Sequence, residues 1–395
     1  MKKKLLFTID SLGCGGAEKS LVTLLSLLDY TKYDVELLLF SRNGLFEKYL
    51  PKDVQILDLP PYIKFTQQNF KQQLFSRNIK FFISRIYYSL LLRCNKSATH
   101  TKKAVLFWKA TSACFNTITK SYDIAIAYAQ GVPSFFIAEK ITAEKKIAWV
   151  NASIFFDTYT KQFNQNIYSK FNNIVFVSDN AKNLFNVTFP LLANKFRIIP
   201  DLLVPILISK LSESKFATEI LYDKPILLTV ARLDNGDKGY DITLEACKIL
   251  HDRGVEFRWY AIGEGGFRSE MEQFIKENGL EDIFILLGTK ANPYPYFKAC
   301  DLYVQTSRHE GFGLSIAEAR ILNKPVVTTE YDAVWEQMVQ GKNGVVVPID
   351  ATAVADAIQD LIEHPEKRER ISAYQRTEKK GNLEELQKFY DLIDD

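Results

Sequence analysis

The feature that most constrains this chain is the alternation of short apolar runs with amphipathic stretches across residues 225–347. Apolar runs fall at Pro225–Ala231, Phe257–Ile262, Ile283–Leu287, Leu302–Gln305, Pro325–Thr329 and Val345–Val347. Between them lie segments of helical period near Tyr240–His251, Phe267–Asn278, Pro293–Ala299 and Leu314–Leu322, and Thr352–Glu363 follows the last. Short runs that are apolar throughout suit strands buried on both faces, and strand–helix alternation gives a parallel sheet covered by helices. The N-terminal half repeats the plan less regularly. Lys4–Asp10 leads into a Gly-rich turn at Gly13–Gly16, and Leu21, Leu24, Leu25 and Leu28 mark one face of the following helix. Val35–Phe40, Asp123–Ala129, Lys146–Val150 and Asn173–Val177 are further strand candidates. The expectation is an α/β chain of two doubly wound domains facing each other across a cleft, with ligands at the strand carboxyl ends. The boundaries predicted are 1–200 for a first domain, 201–222 for a linker, 223–370 for a second domain, and 371–395 for a helical tail.

Composition narrows the class. With 47% hydrophobic and 25% charged residues in 395, the chain is globular rather than disordered. No apolar run approaches the ~18 residues that suggest a membrane span. The opening MKKKLLFTID reaches an Asp too soon for a signal peptide and reads as a first strand. Cys14, Cys94, Cys114, Cys247 and Cys300 are scattered without CxxC spacing, which predicts reduced thiols in the cytoplasm and no metal site.

The net charge of +3 hides an asymmetry. Residues 1–200 carry 27 Lys and Arg against 13 Asp and Glu, whereas the remainder carries 23 against 34. Residues 59–122 contain no Asp or Glu at all but eleven Lys or Arg, interleaved with aromatic pairs such as Phe81-Phe82, Tyr87-Tyr88 and Phe107-Trp108. Such a stretch suits either an anionic membrane surface or a helical region with a buried aromatic face. Nothing in it forms a nucleic-acid motif, and no nucleic-acid partner is expected.

Residues 308–319, RHEGFGLSIAEA, join a strand end to a helix start. Gly311 and Gly313 permit close approach of the backbone, and the helix start beyond them favours a phosphate. Glu310 and Glu318 are carboxylates able to accept hydroxyl hydrogen bonds from a sugar or ribose. On spacing alone, a plain strand–loop–helix unit with two solvated glutamates explains these residues more economically. Arg232 and Lys238, in ARLDNGDKG at the end of another strand of the same half, shift that balance. Both reach the same sheet edge and together can neutralise a departing diphosphate. Gly263, Gly265 and Gly266 make a further tight turn, for which turn geometry alone is sufficient reason.

The series AR…DKG, IGEG, LLGTKANPYPYFKACDLYVQTSRHEGFGLSIAEA, PVVTT and GKNGVVV resembles the retaining glycosyltransferases of family 4, the glycosyl transferases group 1 type. The likeness covers about residues 225–348 and extends weakly to GGAEKS, YAQGVPSFF and FVSDNAKN in the first half. It implies a GT-B fold and transfer of a sugar from a nucleotide-diphosphate donor to a glycan, in surface polysaccharide synthesis. Arg232 and Lys238 would hold the diphosphate with the Gly313 and Leu314 amides, Gly311 and Phe312 shaping the same loop. Glu310 would bind the transferred sugar and Glu318 the ribose. Gly288 and Thr289 would lie beside the base, with Gly263 near them, and Gly15 and Gly16 would close over the phosphates. No cofactor or metal is implied, and a UDP-sugar is expected over a GDP-sugar. A lipid-linked acceptor and a peripheral site at the inner face of the plasma membrane follow from the resemblance together with residues 59–122.

One departure stands out. Related sequences show Trp, an aliphatic residue, His, a variable residue and Asp; here the stretch is Trp149-Val150-Asn151-Ala152-Ser153. Asn151 cannot exchange a proton near neutrality but still donates and accepts hydrogen bonds. The alternative it raises is a catalytically weak or inactive protein acting as partner to an active transferase. A nicotinamide-dependent oxidoreductase is disfavoured, because Gly13-Cys14-Gly15-Gly16 lacks the GxGxxG order and no acid ends the next strand.

Overall fold

The computed structural model describes residues 2–76, 78–151, 156–214 and 218–395. They form two compact units, Met1–Pro200 with Phe389–Asp395, and Asp201–Lys388. Each is organised around one parallel sheet.

The first sheet contains β1 (Lys3–Ile9), β2 (Tyr33–Leu39), β3 (Val54–Ile56), β4 (Ile118–Ala127), β5 (Ile141–Val150), β6 (Asn173–Phe176) and β7 (Phe196–Ile198). Their order is β3-β2-β1-β4-β5-β6-β7, every pairing being parallel. The second contains β8 (Ile226–Val230), β9 (Arg258–Ile262), β10 (Phe284–Gly288), β11 (Leu302–Gln305), β12 (Val326–Thr329) and β13 (Val345–Val347), in the order β10-β9-β8-β11-β12-β13. These pairings too are all parallel.

Central strands such as β12 are buried at every residue, as β-branched runs covered on both faces should be. Helices fill the crossovers. Val354, Ala355, Ile358 and Leu361 turn the buried face of helix Ala351–Glu363 to the sheet, and Asp350 caps its start through the Ala353 amide. In both sheets the strand order reverses at the centre, between β1 and β4 and between β8 and β11. Crevices outside the carboxyl ends of such strands are where doubly wound sheets bind ligands.

Two stretches differ from their sequence reading. Residues 201–222, read as a linker, contain helix Pro205–Ser212 and lie within the second unit; Ile208 joins that unit's core. A short amphipathic helix with one buried face was masked there by the lack of a full period. The tail also divides. Helix Pro365–Thr377 packs on the second unit, whereas Phe389 inserts beside Phe7 and Trp149 of the first, at 6.4 and 6.2 Å between ring centroids. Burial of that ring (0% exposed) draws the last residues to the first sheet.

Candidate active site

At the reversal of the second sheet, the loop after β8 carries Arg232 and Lys238 and the loop after β11 carries Glu310, Gly311, Phe312 and Gly313. Hydrogen bonds weld the two loops together. The Arg308 guanidinium forks onto Asp241 at 2.8 and 2.7 Å and donates to the Asn235 carbonyl. The Arg308 amide donates to the Asp237 carbonyl, and the Thr306 hydroxyl to that of Gly239. Loops on neighbouring strands are thereby held as one surface, with the spacing of their charges fixed.

On that surface Lys238 Nζ lies 2.7 Å from Glu310 Oε1, with side-chain exposures of 20% and 13%. The same oxygen accepts from Gln305 Nε2 and the Ser307 hydroxyl, each at 2.8 Å. Tyr303 in turn donates to Gln305 Oε1 at 2.8 Å. Glu310 is thus a carboxylate fixed by three donors, and Lys238 is a cation held beside it. Arg232 stands apart: its side chain is 61% exposed and lies at 3.6 and 3.8 Å from Asp234 and Asp237. Its guanidinium thus lies at the exposed rim, beside two carboxylates.

Gly313 caps helix Leu314–Ile321 in the left-handed region, at φ 85°. A Cβ there would sit 2.6 Å from the Tyr331 hydroxyl, so both conformation and space demand glycine. Gln337 Nε2 donates to the Phe312 and Gly313 carbonyls and pins this turn. The helix's own bonds begin with the Ile316 and Ala317 amides, both to Gly313, so the earlier amides, including that of Leu314, point out of the helix start. Ser315 ties the helix to the end of β8 by donating to the Val230 carbonyl.

Glu318, one turn along, is only 3% exposed, and its carboxylate accepts from the Tyr294 hydroxyl at 3.1 Å. Burial first, and then this carboxylate, push the Tyr294 hydroxyl well above its ordinary pKa, so it stays a donor. Gly263 follows β9, where a Cβ would meet the Ala231 carbonyl at 1.9 Å; its amide bonds Gly288 at 3.0 Å. Backbone packing therefore accounts for Gly263. Gly288 and Thr289 lie beside it at the end of β10.

The structure thus gathers Lys238, Glu310, Gly311, Phe312, Gly313 and Leu314 at one reversal point, with Arg232 at the rim. Gln305, Ser307, Arg308, Gln337 and Tyr294 were missed from the sequence. A Gln ending an otherwise apolar strand was the one visible signal.

In the first unit, Gly15 caps helix Gly16–Leu27 after β1, on that sheet's own reversal point. Asn151 follows β5. Its Nδ2 donates to the Tyr128 carbonyl at 2.6 Å, and its Oδ1 is buried without a partner among the described residues. Ala152 and Ser153 lie outside the described residues, so the second half of the departure noted above has no structural account.

The family model described as Glycosyl transferases group 1 matches residues 212–378, which span the whole of this reversal point. Over those residues the second unit is similar to the group 1 glycosyl transferases. Among curated relatives, the alpha-D-kanosaminyltransferase of Streptomyces kanamyceticus is 32% identical over 155 residues, covering 38% of this chain and 40% of that protein. The chain thus spans about two fifths of the length of the curated relatives it matches first. A longer alignment, 25% identical over 350 residues, covers 83% of this chain and 81% of a Campylobacter jejuni protein. That protein is named N-acetylgalactosamine-N,N'-diacetylbacillosaminyl-diphospho-undecaprenol 4-alpha-N-acetylgalactosaminyltransferase. The solved structure of Anabaena Alr3699/HepE in complex with UDP and glucose covers 99% of both chains, with a TM-score of 0.71 and 19% identity. Both units thus have the Rossmann-like form of the GT-B fold.

Proposed function

We propose that this chain is a retaining glycosyltransferase that moves a sugar from a nucleotide-diphosphate donor to a glycan acceptor, in surface polysaccharide synthesis. The observation that carries the reading is the fixed Lys238–Glu310 pair beside the Gly313 helix start, on the reversal point of a parallel sheet. A diphosphate there meets one held cation, one exposed guanidinium and outward backbone amides, so charge developing on the leaving group is met without a metal. Glu310 takes hydroxyls of the transferred sugar, and Glu318, steadied by Tyr294, takes the ribose. The bond from the anomeric carbon to the donor phosphate breaks and that to the acceptor oxygen forms on the same face. The acceptor's proton passes to the departing phosphate oxygen.

UDP is the favoured carrier, a choice supported by the UDP-bound structure similar to this chain. The polyprenyl-linked acceptor named for the Campylobacter jejuni relative supports a lipid-linked acceptor here. With it goes a peripheral site at the inner membrane face, reached through residues 59–122. No helix of the described residues is long and apolar enough to cross a membrane.

The test is release of nucleoside diphosphate from a panel of nucleotide sugars. Glu310→Ala and Lys238→Ala should each lower it by at least about a hundredfold. Unchanged rates in both would sink the site assignment. Asn151 supports a second reading, a non-catalytic partner, because its side-chain amide donates to the Tyr128 backbone and cannot titrate. Donor binding with no release from any sugar nucleotide, given crude lipid and glycan acceptors, would select it.

A further inference from the structure

Residues 59–122 divide into a packed side and an open side. Phe81 meets Tyr62 and Phe65 at 5.3 and 5.6 Å, Tyr88 meets Phe107 at 5.2 Å, and Arg85 donates to the Thr66 carbonyl. These contacts seat one face of helix Ile79–Cys94 on the first unit. Its other face is apolar and open. Ile79 is 72% exposed, and Ile83, Ile86, Tyr87 and Leu90 are each close to half exposed or more. At about 100° per residue, these five and Cys94 fall within one arc of roughly 100°. Lys80 borders that arc on one side and Arg93 on the other. The preceding helix, Phe70–Phe75, continues the open surface with Phe70, Leu74 and Phe75, the last 80% exposed. Phe70 and Phe82 join the two helices at 6.0 Å. Of the twenty large hydrophobic residues exposed among those described, eight lie between positions 70 and 90. That is a concentration, not the usual scatter.

We infer that this ridge is a monolayer-inserting surface, on which helix Ile79–Cys94 lies in the plane of an anionic membrane. The inference rests on the membrane reading above and deepens it: apolar insertion, rather than charge alone, holds the protein there. Charge selects the occupant. Lys71, Lys80, Arg93 and Lys96 have no ion pair among the described residues, and no acid occurs from 59 to 122. A second copy pairing symmetrically on this stripe would set the Lys80 and Arg93 margins of both copies side by side. Anionic headgroups neutralise those margins while the ridge enters the acyl boundary, and the basic stems reach up to the headgroups.

The experiment is flotation of the full chain with zwitterionic vesicles containing about a third anionic lipid. Wild type should bind, and should keep part of that binding at about 0.5 M salt, where surface charge is screened. The triple variant Ile79→Ser, Ile83→Ser, Leu90→Ser should bind about a hundredfold more weakly. Lys80→Ser with Arg93→Ser should lose about thirtyfold at low salt. An unchanged melting temperature and an unchanged donor-induced melting shift establish that the variants are folded. Triple-variant binding equal to wild type overturns the inference, as does a wild-type chain that dimerises and ignores vesicles. Binding without nucleotide-sugar turnover would overturn the catalytic reading and leave the ridge standing; turnover without binding would do the reverse.

Discussion

The two units share a plan but hold their reversal points in different ways. In the second, charged side chains do the holding: Arg308 on Asp241, Lys238 on Glu310, with Gln305 and Ser307 completing the carboxylate's shell. In the first, aromatic packing and neutral hydrogen bonds lie beside two neighbouring acids, Asp10 just after β1 and Glu18 in the first turn of the next helix. Tyr128 stacks on Trp149 at 4.7 Å, its hydroxyl meets Ser20 at 2.8 Å, and Asn151 donates to its carbonyl. A diphosphate carries a fixed charge and a fixed shape, so a site for it gains from charges oriented in advance. Under the proposed function, this difference sets a preorganised donor site in the second unit apart from a less charged one in the first.

Their capping glycines give the sharpest way to break that comparison. Gly313 sits at φ 85° with the Tyr331 hydroxyl 2.6 Å from where a Cβ would be, whereas Gly15 sits at φ −85°. A Cβ on Gly15 meets only the end of the Glu18 side chain, which can swing away. Gly313→Val should therefore cost at least about 3 kcal/mol and abolish donor-induced stabilisation. Gly15→Val should cost under about 1 kcal/mol. Thermal melting with and without a nucleotide sugar checks both. Equal losses would mean that the first turn is as rigidly specified as the second.

A smaller effect sharpens the picture within the second unit. Tyr294→Phe removes the hydroxyl that Glu318 accepts from and leaves the ring in its buried place. A hydrogen bond to a charged group is worth about 1.5–3 kcal/mol, so donor affinity should fall about tenfold or more. The rate at saturating donor should hold if Glu318 serves the ribose. A fall in that rate with affinity unchanged would instead place Glu318 at the transferred sugar.

These residues also mark how far the sequence could be read. Apolar runs located the main strands because buried parallel strands leave unbroken apolar segments; β3 (Val54–Ile56) and β7 (Phe196–Ile198) escaped because Gln55 and Arg197 break their three-residue runs, as nothing breaks Val345–Val347. Glu310, Gly313 and Lys238 were legible because turns and charges cluster along the chain. Tyr294 was not, since it lies 24 positions from Glu318 and reads as one more core aromatic. The open ridge was half legible: the basic, acid-free composition was visible, but which aromatics and aliphatics were buried depended on the helices that cover them.

The least disruptive measurement compares two thiols of the first unit. Cys14, in the turn after β1, and Cys94, at the end of the ridge helix, are exposed, whereas Cys114, Cys247 and Cys300 are buried. Burial also pushes the Cys247 thiol up and the Cys300 thiol to about 12, so neither forms appreciable thiolate near pH 8. A thiol reagent should therefore label two sites quickly in the native protein. Anionic vesicles should slow Cys94 about tenfold, because its position falls within the apolar arc, and should leave Cys14 at its original rate. Slowing of Cys14 alone would mean that lipid meets the sheet edge of the first unit instead of its outer helices. The first unit's reversal point would then be the membrane-facing surface, and the division drawn between the two units would have to be redrawn within the first.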